Sequence, residues 1–545
     1  MKLTGFLFAA ALLGACTQPA AEENYTRHVD PKIGTGGHGH VFVGANVPFG
    51  LVQVGPTSIP QTWDWCSGYH ASDSTVIGFS HTHLSGTGIG DLFDVTVMPV
   101  TGDVTYARGE EADPASGLWS YADRTQEIAR PGYYSVPLTR YGIRAELTAT
   151  ARVGLHRYTF PASDAAAVVF DLENGGCWDK ATETHLAKEG DRTVTGWRHS
   201  TGWAKDQRVY FVAEFSKPFE KFETIGDNYA RASFRTTDGE QVSLKVALSP
   251  VSVEGAKANL AAELSGWDFD ATAKAADKAW NDELSKVKIT TADETARRIF
   301  YTALYHTMIA PSLFCDVNGD YYGSDHAIHR NADFTNYTTF SLWDTYRAAM
   351  PLMTVLHPEK MADIVQTMLH IADEQGRLPV WHLWGNETDC MVGNPGIVAV
   401  ADAIVKGIGG FDREKAFEAI RKTAMNPDRG NGLRMEYGYI PCEMFNEAVA
   451  YDMEYALADG AAARAAETLG KAEDAKYFEE RSHSYRNYFD PATRFMRGRD
   501  SRKGWRTPFN AFASTHRADD YCEGNAWQYT WLAPHDVKGL EGLFG

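Results

Sequence analysis

The pattern of apolar and polar positions divides the chain into a β-rich amino-terminal part and a helical carboxy-terminal part. From about residue 25 to 265, short alternating or β-branched runs are separated by Gly, Pro, Asn and Asp. This spacing is typical of an antiparallel sandwich rather than of βαβ units. The runs that we predict as strands are Val41–Val54, Thr75–Phe79, Phe93–Pro99, Ala167–Leu172, Val209–Phe215 and Val242–Leu248.

From Thr295 onward, apolar residues recur at three- and four-residue spacing, which predicts amphipathic helices. The predicted helices lie near 295–309, 359–373, 396–408, 411–424, 443–469 and 471–489. Residues 267–288 have a helical, charged pattern without the apolar density of a core. We therefore divide the chain into a leader and tether (1–24), a β-sandwich domain (25–266), a helical linker (267–290) and a helical domain (291–545).

The first residues have the pattern of a secretion signal. Lys2 precedes the apolar run Leu3–Leu13, which is too short to span a bilayer as a mature helix. The run ends in L-G-A-C, which resembles the bacterial lipoprotein cleavage box and makes Cys16 the acylated first residue of the mature chain. Thr17, rather than Asp, resembles lipoproteins sorted to the outer membrane. We expect a lipid-anchored protein of the bacterial cell envelope, at the outer membrane or the periplasmic face.

Composition excludes some partners and favours others. The net charge of -19 repels polyanions, so a nucleic acid is not an expected partner. An aromatic content of 12%, with 14 Trp, suits the handling of carbohydrates. Beyond Cys16 the chain has six cysteines and no C-x-x-C pair, so zinc-ribbon and thioredoxin motifs have no support.

Three local motifs imitate ligand sites. Gly34–Gly39 matches the dinucleotide fingerprint, but no helical pattern follows it to bind the pyrophosphate. Asp316–Tyr321 imitates a calcium loop but lacks the required Gly and Glu, so we predict an Asn-Gly hairpin turn. A third possible site is the group of histidines His38, His40, His81 and His83, but the sequence has no His/carboxylate pair on a helix there, so a zinc site is disfavoured. We instead predict that Phe79–Gly88 is a polar loop presented to a ligand.

The richest chemistry lies in Tyr521–Trp531, where Glu523 sits among four aromatic residues with Asn525 and Gln528 nearby. Aromatic faces stack on pyranose rings, and amides and carboxylates bind sugar hydroxyls. A carboxyl group in half-apolar surroundings tends to stay protonated, as an acid that protonates a glycosidic oxygen must. Alternatively, Glu523 caps or pairs locally on a buried, aromatic helix.

Three further stretches carry a family resemblance: Ser341–Arg347 (S-L-W-D-T-Y-R), Trp384–Met391 (W-G-N-E-T-D-C-M) and Tyr439–Cys442 (Y-I-P-C). Together with Phe79–Gly88 and Glu523–Tyr529, they resemble glycoside hydrolase family 92, the bacterial α-mannosidases. The resemblance runs from about Val29 to the last residue. It implies a multidomain β + α fold, in which an amino-terminal antiparallel β-sandwich is followed by an (α/α)6 barrel.

The resemblance also implies the reaction: exo-acting, calcium-dependent hydrolysis that removes terminal α-linked mannose with inversion of configuration. Ca²⁺ is a suitable cofactor because it binds oxygen ligands such as the vicinal hydroxyl groups of the sugar. Glu523 corresponds to the general acid. The residues expected to bind the sugar are Trp343, Asp344, Asn386 and Glu387, with Asn525 and Gln528 from the acid motif and with His83 and Trp65 (or Trp63) from the sandwich. Mannose-containing glycans are the expected substrates, with an α-1,2-type linkage preference.

The chain departs from the family pattern at its end. The family's general base lies on an Asp-containing, Gly-rich loop well downstream of the acid motif, whereas this sequence ends at Gly545. The resemblance therefore implies that the base, most calcium ligands and some helices of an incomplete barrel lie beyond residue 545.

Two other functional classes stay open at this stage. The first is a glycan-binding surface lipoprotein that keeps the pocket without hydrolysis. The second is another (α/α)6 enzyme, such as a glucoamylase-like hydrolase or a polysaccharide lyase.

Overall fold

The computed structural model describes residues 23–113 and 115–545. The predicted leader and its lipidation site, Cys16, therefore lie outside the described residues. Within those ranges, no helix combines the length and the apolar character that crossing a lipid bilayer requires.

Two antiparallel sheets form the amino-terminal part of the described chain. Strands of the first sheet lie in the spatial order Gly55–Thr57, Gly78–Ser80, Thr96–Thr101, Ser163–Asp171, Tyr229–Thr236 and Lys221–Ile225. Strands of the second lie in the order Lys180–Glu189, Thr193–Thr201, Gln207–Phe215, Glu240–Ser249, Val153–Phe160, Ile143–Ala149, Tyr133–Leu138 and Ile128–Arg130. Side chains from both sheets, such as Phe170 and Phe211, stack in one core, so the predicted antiparallel sandwich is confirmed.

One predicted strand is wrong. Residues 41–54 are buried but mostly irregular, with a single isolated bridge between Ala45 and Val54. Pro48 has no N–H to donate to a ladder, and the Gly50 N–H instead donates to Val47 O in a turn. The apolar run reflects burial in the core rather than strand pairing.

The second half is helical, as predicted. The helices of eight residues or more are Val253–Glu263, Phe269–Leu284, Glu294–His306, Ala349–Leu356, Pro358–Gln375, Pro395–Val405, Arg413–Met425, Ala448–Thr468, Ala472–Ser482 and Val537–Phe544. Helix Ala448–Thr468 is buried along most of its length, as expected for a helix surrounded by others. A β-sandwich domain followed by a helical domain confirms the predicted fold class.

The helix in the predicted linker is part of the packed structure. Phe269–Leu284 buries Phe269, Trp280 and Leu284. The Trp280 indole N–H donates to Asn46 O at 2.7 Å, beneath the irregular segment 41–54. The expectation that residues 267–288 have too few apolar residues to join a core is therefore wrong. Alanines between the large residues, such as Ala273 and Ala276, are also buried and let the helix pack closely against its neighbours.

The predicted Asn-Gly turn is present at Asp316–Asp320. Gly319 has φ +83°, a left-handed conformation that glycine adopts without a steric penalty. The Asp316 carboxylate accepts hydrogen bonds from Ser249 Oγ and Asn259 Nδ2, each at 2.8 Å. Burial raises the pKa of Asp316 to about 6. This aspartate joins the last sandwich strand and helix Val253–Glu263 to the helical domain.

Candidate active site

Glu523 lies in the loop just before the short helix Ala526–Tyr529. Asn525 Oδ1 accepts the Gln528 N–H, and Gln528 Oε1 accepts the Asn525 N–H, which forms a capping box. The Tyr529 hydroxyl donates to Cys522 O at 2.8 Å and so links the helix to the residue before Glu523. The two amides that the sequence predicted as sugar ligands, Asn525 and Gln528, thus hold the backbone next to Glu523 in place.

Glu523 itself is exposed, so the aromatic residues of its motif do not enclose the carboxylate. Two of the four neighbouring aromatic residues point elsewhere. Trp527 packs against Phe495, with ring centroids 4.9 Å apart, and Trp531 stacks on Phe544 at 5.5 Å. Both rings thus pack on other aromatic residues, although they are close to Glu523 in sequence.

The S-L-W-D-T-Y-R motif is held by Glu454, a buried carboxylate on helix Ala448–Thr468. Glu454 accepts hydrogen bonds from Trp343 Nε1 at 2.9 Å, the Tyr346 hydroxyl at 2.7 Å and an Arg347 guanidinium nitrogen at 2.7 Å. Burial raises the pKa of Glu454, and the Arg347 charge opposes that change. One carboxylate therefore orients three side chains of the motif.

These two motifs meet at a cavity of about 300 Å³, here called the smaller cavity. Its wall consists of Trp343, Asp344, Arg347, Cys522, Glu523, Gly524, Gln528, Tyr529 and Leu532. The structure thus brings together four residues predicted from sequence: Glu523, predicted as the acid, and Trp343, Asp344 and Gln528, predicted to bind the sugar. An aromatic ring beside two carboxylates and an amide suits a sugar ring and its hydroxyls.

A second cavity of about 750 Å³, here called the seam cavity, lies where the sandwich meets the helical domain. Cys522 belongs to the walls of both cavities. The sandwich contributes Trp203, which packs edge-on against Trp381 with centroids 4.5 Å apart. The helical domain contributes Thr388–Met391, Glu443–Glu447, Tyr451, His516 and Arg517.

Asn386 and Glu387 do not line these two cavities. Asn386 accepts the Asp206 N–H at 3.0 Å and donates to Asp206 O and Trp384 O, so it joins the two domains. The Glu387 carboxylate accepts N–H groups of Val380, Trp381 and Asp389 at 2.8–3.0 Å. Both side chains hold the loop around residues 384–389 in shape, and the residues that follow, Thr388–Met391, line the seam cavity.

The two predicted sandwich residues also lie outside both cavity walls. The Trp65 indole N–H donates to Asp73 at 2.7 Å, and its ring stacks on His70. His83 is buried, with Nδ1 2.8 Å from Gln53 O, and burial lowers its pKa to about 4. The first half of Phe79–Gly88 is therefore core rather than a polar loop, and the sandwich reaches the seam cavity through Trp203.

Several residues that line the two cavities have a strained backbone. Five lining residues other than glycine have positive φ: Asp389 (54°), Met391 (74°), Glu447 (55°), Arg517 (54°) and Glu523 (48°). Each such residue costs about 1–3 kcal/mol and persists only where the surrounding structure enforces it. Such strain is typical of sites whose side chains are aimed at a ligand.

Sequence reasoning missed Glu447 and Trp203. Glu447 faces the seam cavity, and its Oε1 is buried without a hydrogen-bond partner. Burial raises the pKa of Glu447, although Cys522 and Arg517 act in the opposite direction. The only sequence signal for Glu447 is its place shortly after the Y-I-P-C motif, and Trp203 follows a strand without any motif.

One possible metal-ligand group lies away from the two cavities. Within residues 23–113 and 115–545, one group of His, Cys, Asp and Glu side chains converges closely enough to hold an ion: Asp325, His329 and Glu374, with ligand atoms within 4.8 Å of one another. This group lines neither cavity.

Comparison with known protein families identifies the class of this protein, the glycoside hydrolases. The N-terminal domain of glycosyl hydrolase family 92 matches residues 28–249, and the catalytic domain of the same family matches residues 255–545. The chain therefore belongs to glycosyl hydrolase family 92.

Solved structures agree with this assignment. The chain is 39% identical to a family GH92 α-mannosidase from Bacteroides thetaiotaomicron solved with mannoimidazole, over 96% of this chain and 72% of that one, with a TM-score of 0.93. It is 29% identical to an inverting family GH92 mannosidase from Bacteroides thetaiotaomicron VPI-5482, over 95% and 72%, with a TM-score of 0.86. It is also 26% identical to an uncharacterized secreted glycosidase of Arthroderma benhamiae, over 96% and 72%.

Proposed function

We propose that the protein is an exo-acting α-mannosidase that removes terminal α-linked mannose from glycans with inversion, and that Glu523 is its general acid. The observation that carries the proposal is the smaller cavity, where Glu523 and Asp344 face one space beside Trp343. Family membership and the two α-mannosidase structures support mannose as the sugar. An α-1,2 preference is part of the proposal.

Glu523 is proposed to donate its proton to the glycosidic oxygen. The positive φ of Glu523 and the capping box behind it hold the carboxyl group in place at the cavity. In an inverting hydrolase, a second carboxylate about 6.5–9.5 Å from the acid activates the attacking water. Trp343 would stack on the sugar, and Asp344 would bind its hydroxyl groups.

The substitution Glu523→Gln tests this role in a chain that includes the general-base loop implied by the family resemblance. It keeps the shape of the side chain but removes the transferable proton, so hydrolysis of α-linked mannobiose should fall by about 10²–10⁴-fold. The loss should be much smaller for an activated aryl α-mannoside, because its leaving group needs little protonation. Both rates are measured as kcat/KM, and among mannobioses the α-1,2-linked one should be cleaved fastest.

Glu541→Gln is the matched control, because Glu541 is exposed on the following helix, Val537–Phe544. It should leave both rates unchanged. Equal losses on both substrates in Glu523→Gln would contradict general acid catalysis. Binding of mannoimidazole without release of mannose by the wild-type protein would favour the alternative, a glycan-binding protein without hydrolytic activity.

Calcium dependence is proposed on the family resemblance alone. Exhaustive chelation and dialysis should abolish mannoside hydrolysis, and added Ca²⁺ should restore it, whereas Mg²⁺ should not, because it prefers a tighter octahedral site. Full activity after chelation, with calcium removal verified by metal analysis, would rule the dependence out.

Anchoring of the protein to the cell envelope through an acylated Cys16 is also proposed. It rests on the L-G-A-C box of the sequence.

A further inference from the structure

A hairpin of the helical domain and a neighbouring helix together carry the Asp325, His329 and Glu374 group, here called the triad. Strands Tyr321–Tyr322 and Ile328–His329 pair to form the hairpin, which lies against the end of helix Pro358–Gln375. Asp325 and His329 come from the hairpin, and Glu374 comes from the helix. The triad is separate from the cavities that carry the proposed mannosidase activity.

Three carboxylate oxygens converge on one imidazole nitrogen. His329 Nε2 lies 3.1 and 3.2 Å from the two oxygens of Asp325. It lies 3.5 Å from Glu374 Oε1. An imidazole N–H can be directed well at only one of three acceptors. Ligands bound to a tetrahedral zinc ion at 2.0–2.1 Å are about 3.3 Å apart, close to these distances from His329, and the ligand atoms of the triad all lie within 4.8 Å of one another.

Outer contacts fix the orientation of the carboxylates. The Tyr321 hydroxyl donates to Glu374 Oε1 at 2.9 Å, and the Ser324 N–H donates to Glu374 Oε2 at 2.7 Å. The Ala327 N–H donates to Asp325 Oδ1 at 3.0 Å. The Tyr321 ring stacks on His329 with centroids 4.8 Å apart. Supporting contacts of this kind hold metal ligands in position.

Glycine at position 323 leaves the space that the converging atoms need. A Cβ on Gly323 would lie 2.7 Å from both Asp325 Oδ1 and His329 Nε2. In the same turn, Ser324 Oγ is buried without a hydrogen-bond partner. The side chains of Asp325 and His329 are about one-third exposed, whereas Glu374 is buried, so an ion could enter from solvent and keep a water ligand.

We propose that the triad binds one divalent transition-metal cation, with zinc as the best fit. One nitrogen and two carboxylates form a three-ligand set that suits zinc with a fourth, water ligand. Calcium, which takes roughly six to eight oxygen ligands, fits poorly because of the imidazole and the small ligand number. Zinc should also bind more tightly than Mn²⁺, following the general order for such ligands.

The location implies a structural role. The same hairpin contacts the sandwich, because the Tyr322 hydroxyl donates to Asp206 Oδ2 at 2.9 Å. The Asp206 main chain is in turn bonded to Asn386. A metal at the triad would fasten the hairpin to helix Pro358–Gln375 and thereby stabilise the junction between the two domains.

The test is calorimetric titration of Zn²⁺ into the full, chelator-treated and dialysed chain. Wild type should bind one equivalent at the triad, with a rise in Tm. His329→Ala and Glu374→Gln should each lose that equivalent or weaken it by at least about tenfold, and zinc should no longer raise their Tm. Ca²⁺ should not compete with Zn²⁺ at equal concentration.

His326→Ala is the matched control, because His326 lies in the same hairpin but faces Tyr322 and Asp206. It should bind zinc as wild type does. Gly323→Ala retains all three ligands but crowds them, and should also weaken zinc binding; it serves as the test if the ligand variants do not fold. Since buried cysteines could bind the metal instead, the Co²⁺-loaded protein should show no thiolate-to-cobalt absorption.

Absence of stoichiometric zinc binding by wild type would overturn the proposal. Unchanged affinity in both ligand variants, or a thiolate band in the cobalt form, would overturn it as well. None of these results depends on mannosidase activity.

Discussion

At the scale of single residues, hydrogen-bond partners separate the side chains that face the cavities from those that support them. Asn386 and Glu387 satisfy their polar atoms on main-chain groups, whereas Glu447 keeps an unpaired buried oxygen at the seam cavity. An unpaired buried oxygen is costly, so its position beside a cavity indicates a place for a ligand or water. Glu454, in contrast to Glu447, is a buried carboxylate that accepts hydrogen bonds from three side-chain donors.

Glu454→Gln should destabilise the protein and loosen the smaller cavity. The amide cannot accept from Trp343, Tyr346 and Arg347 together, and it leaves the Arg347 charge without its partner. Because Arg347 is 40% exposed, the expected loss in the free energy of unfolding is about 1–3 kcal/mol rather than more. Denaturant unfolding measures this loss, and weaker binding of mannoimidazole should accompany it.

Glu467→Gln on the same helix, Ala448–Thr468, is the control. Glu467 pairs with Arg464 on the surface, where both side chains are more than half exposed, so the change should be under about 1 kcal/mol. Equal destabilisation by the two substitutions would mean that Glu454 does not organise the motif.

At the scale of secondary-structure elements, the periodicity of apolar residues predicts the helices well but does not predict the conformation of irregular segments in the core. Helix Pro358–Gln375 buries Met361, Ile364, Val365 and Met368 on one face, as the three- and four-residue spacing predicts. The segment 41–54 is equally apolar but is not a strand, since its Pro and Gly residues form turns inside the core. Apolar character reports burial, and the conformation depends on which backbone groups can pair.

At the scale of the whole molecule, the two domains meet through side chains that are far apart in sequence. Asp206 with Asn386, Trp203 with Trp381, and Asp316 with Ser249 and Asn259 all cross this junction. The seam cavity lies at the same junction. Its walls therefore depend on how the sandwich sits on the helices.

Location in the cell is the remaining property of the whole molecule that can be tested. If Cys16 is acylated, Cys16→Ala should remove the acyl site and leave the protein unprocessed or mislocalised, because lipoprotein acylation supplies the several chains that firm attachment needs. Fractionation of membranes and the size of the mature chain provide the measurement. A variant that is cleaved and sediments with membranes as wild type does would contradict the anchor.

The sequence by itself determined the succession of a β-rich and a helical domain and the family, and it predicted an acid motif at Glu523. These properties reside in local periodicity and in contiguous motifs, and both survive without knowledge of distant contacts. Tertiary structure alone decided that Asn386 and Glu387 support the loop, that Trp203 rather than Trp65 or His83 reaches the seam cavity, and that Glu374 joins Asp325 and His329. Those outcomes depend on hydrogen bonds and packing between residues tens to hundreds of positions apart, and a local pattern does not encode which distant atoms become neighbours.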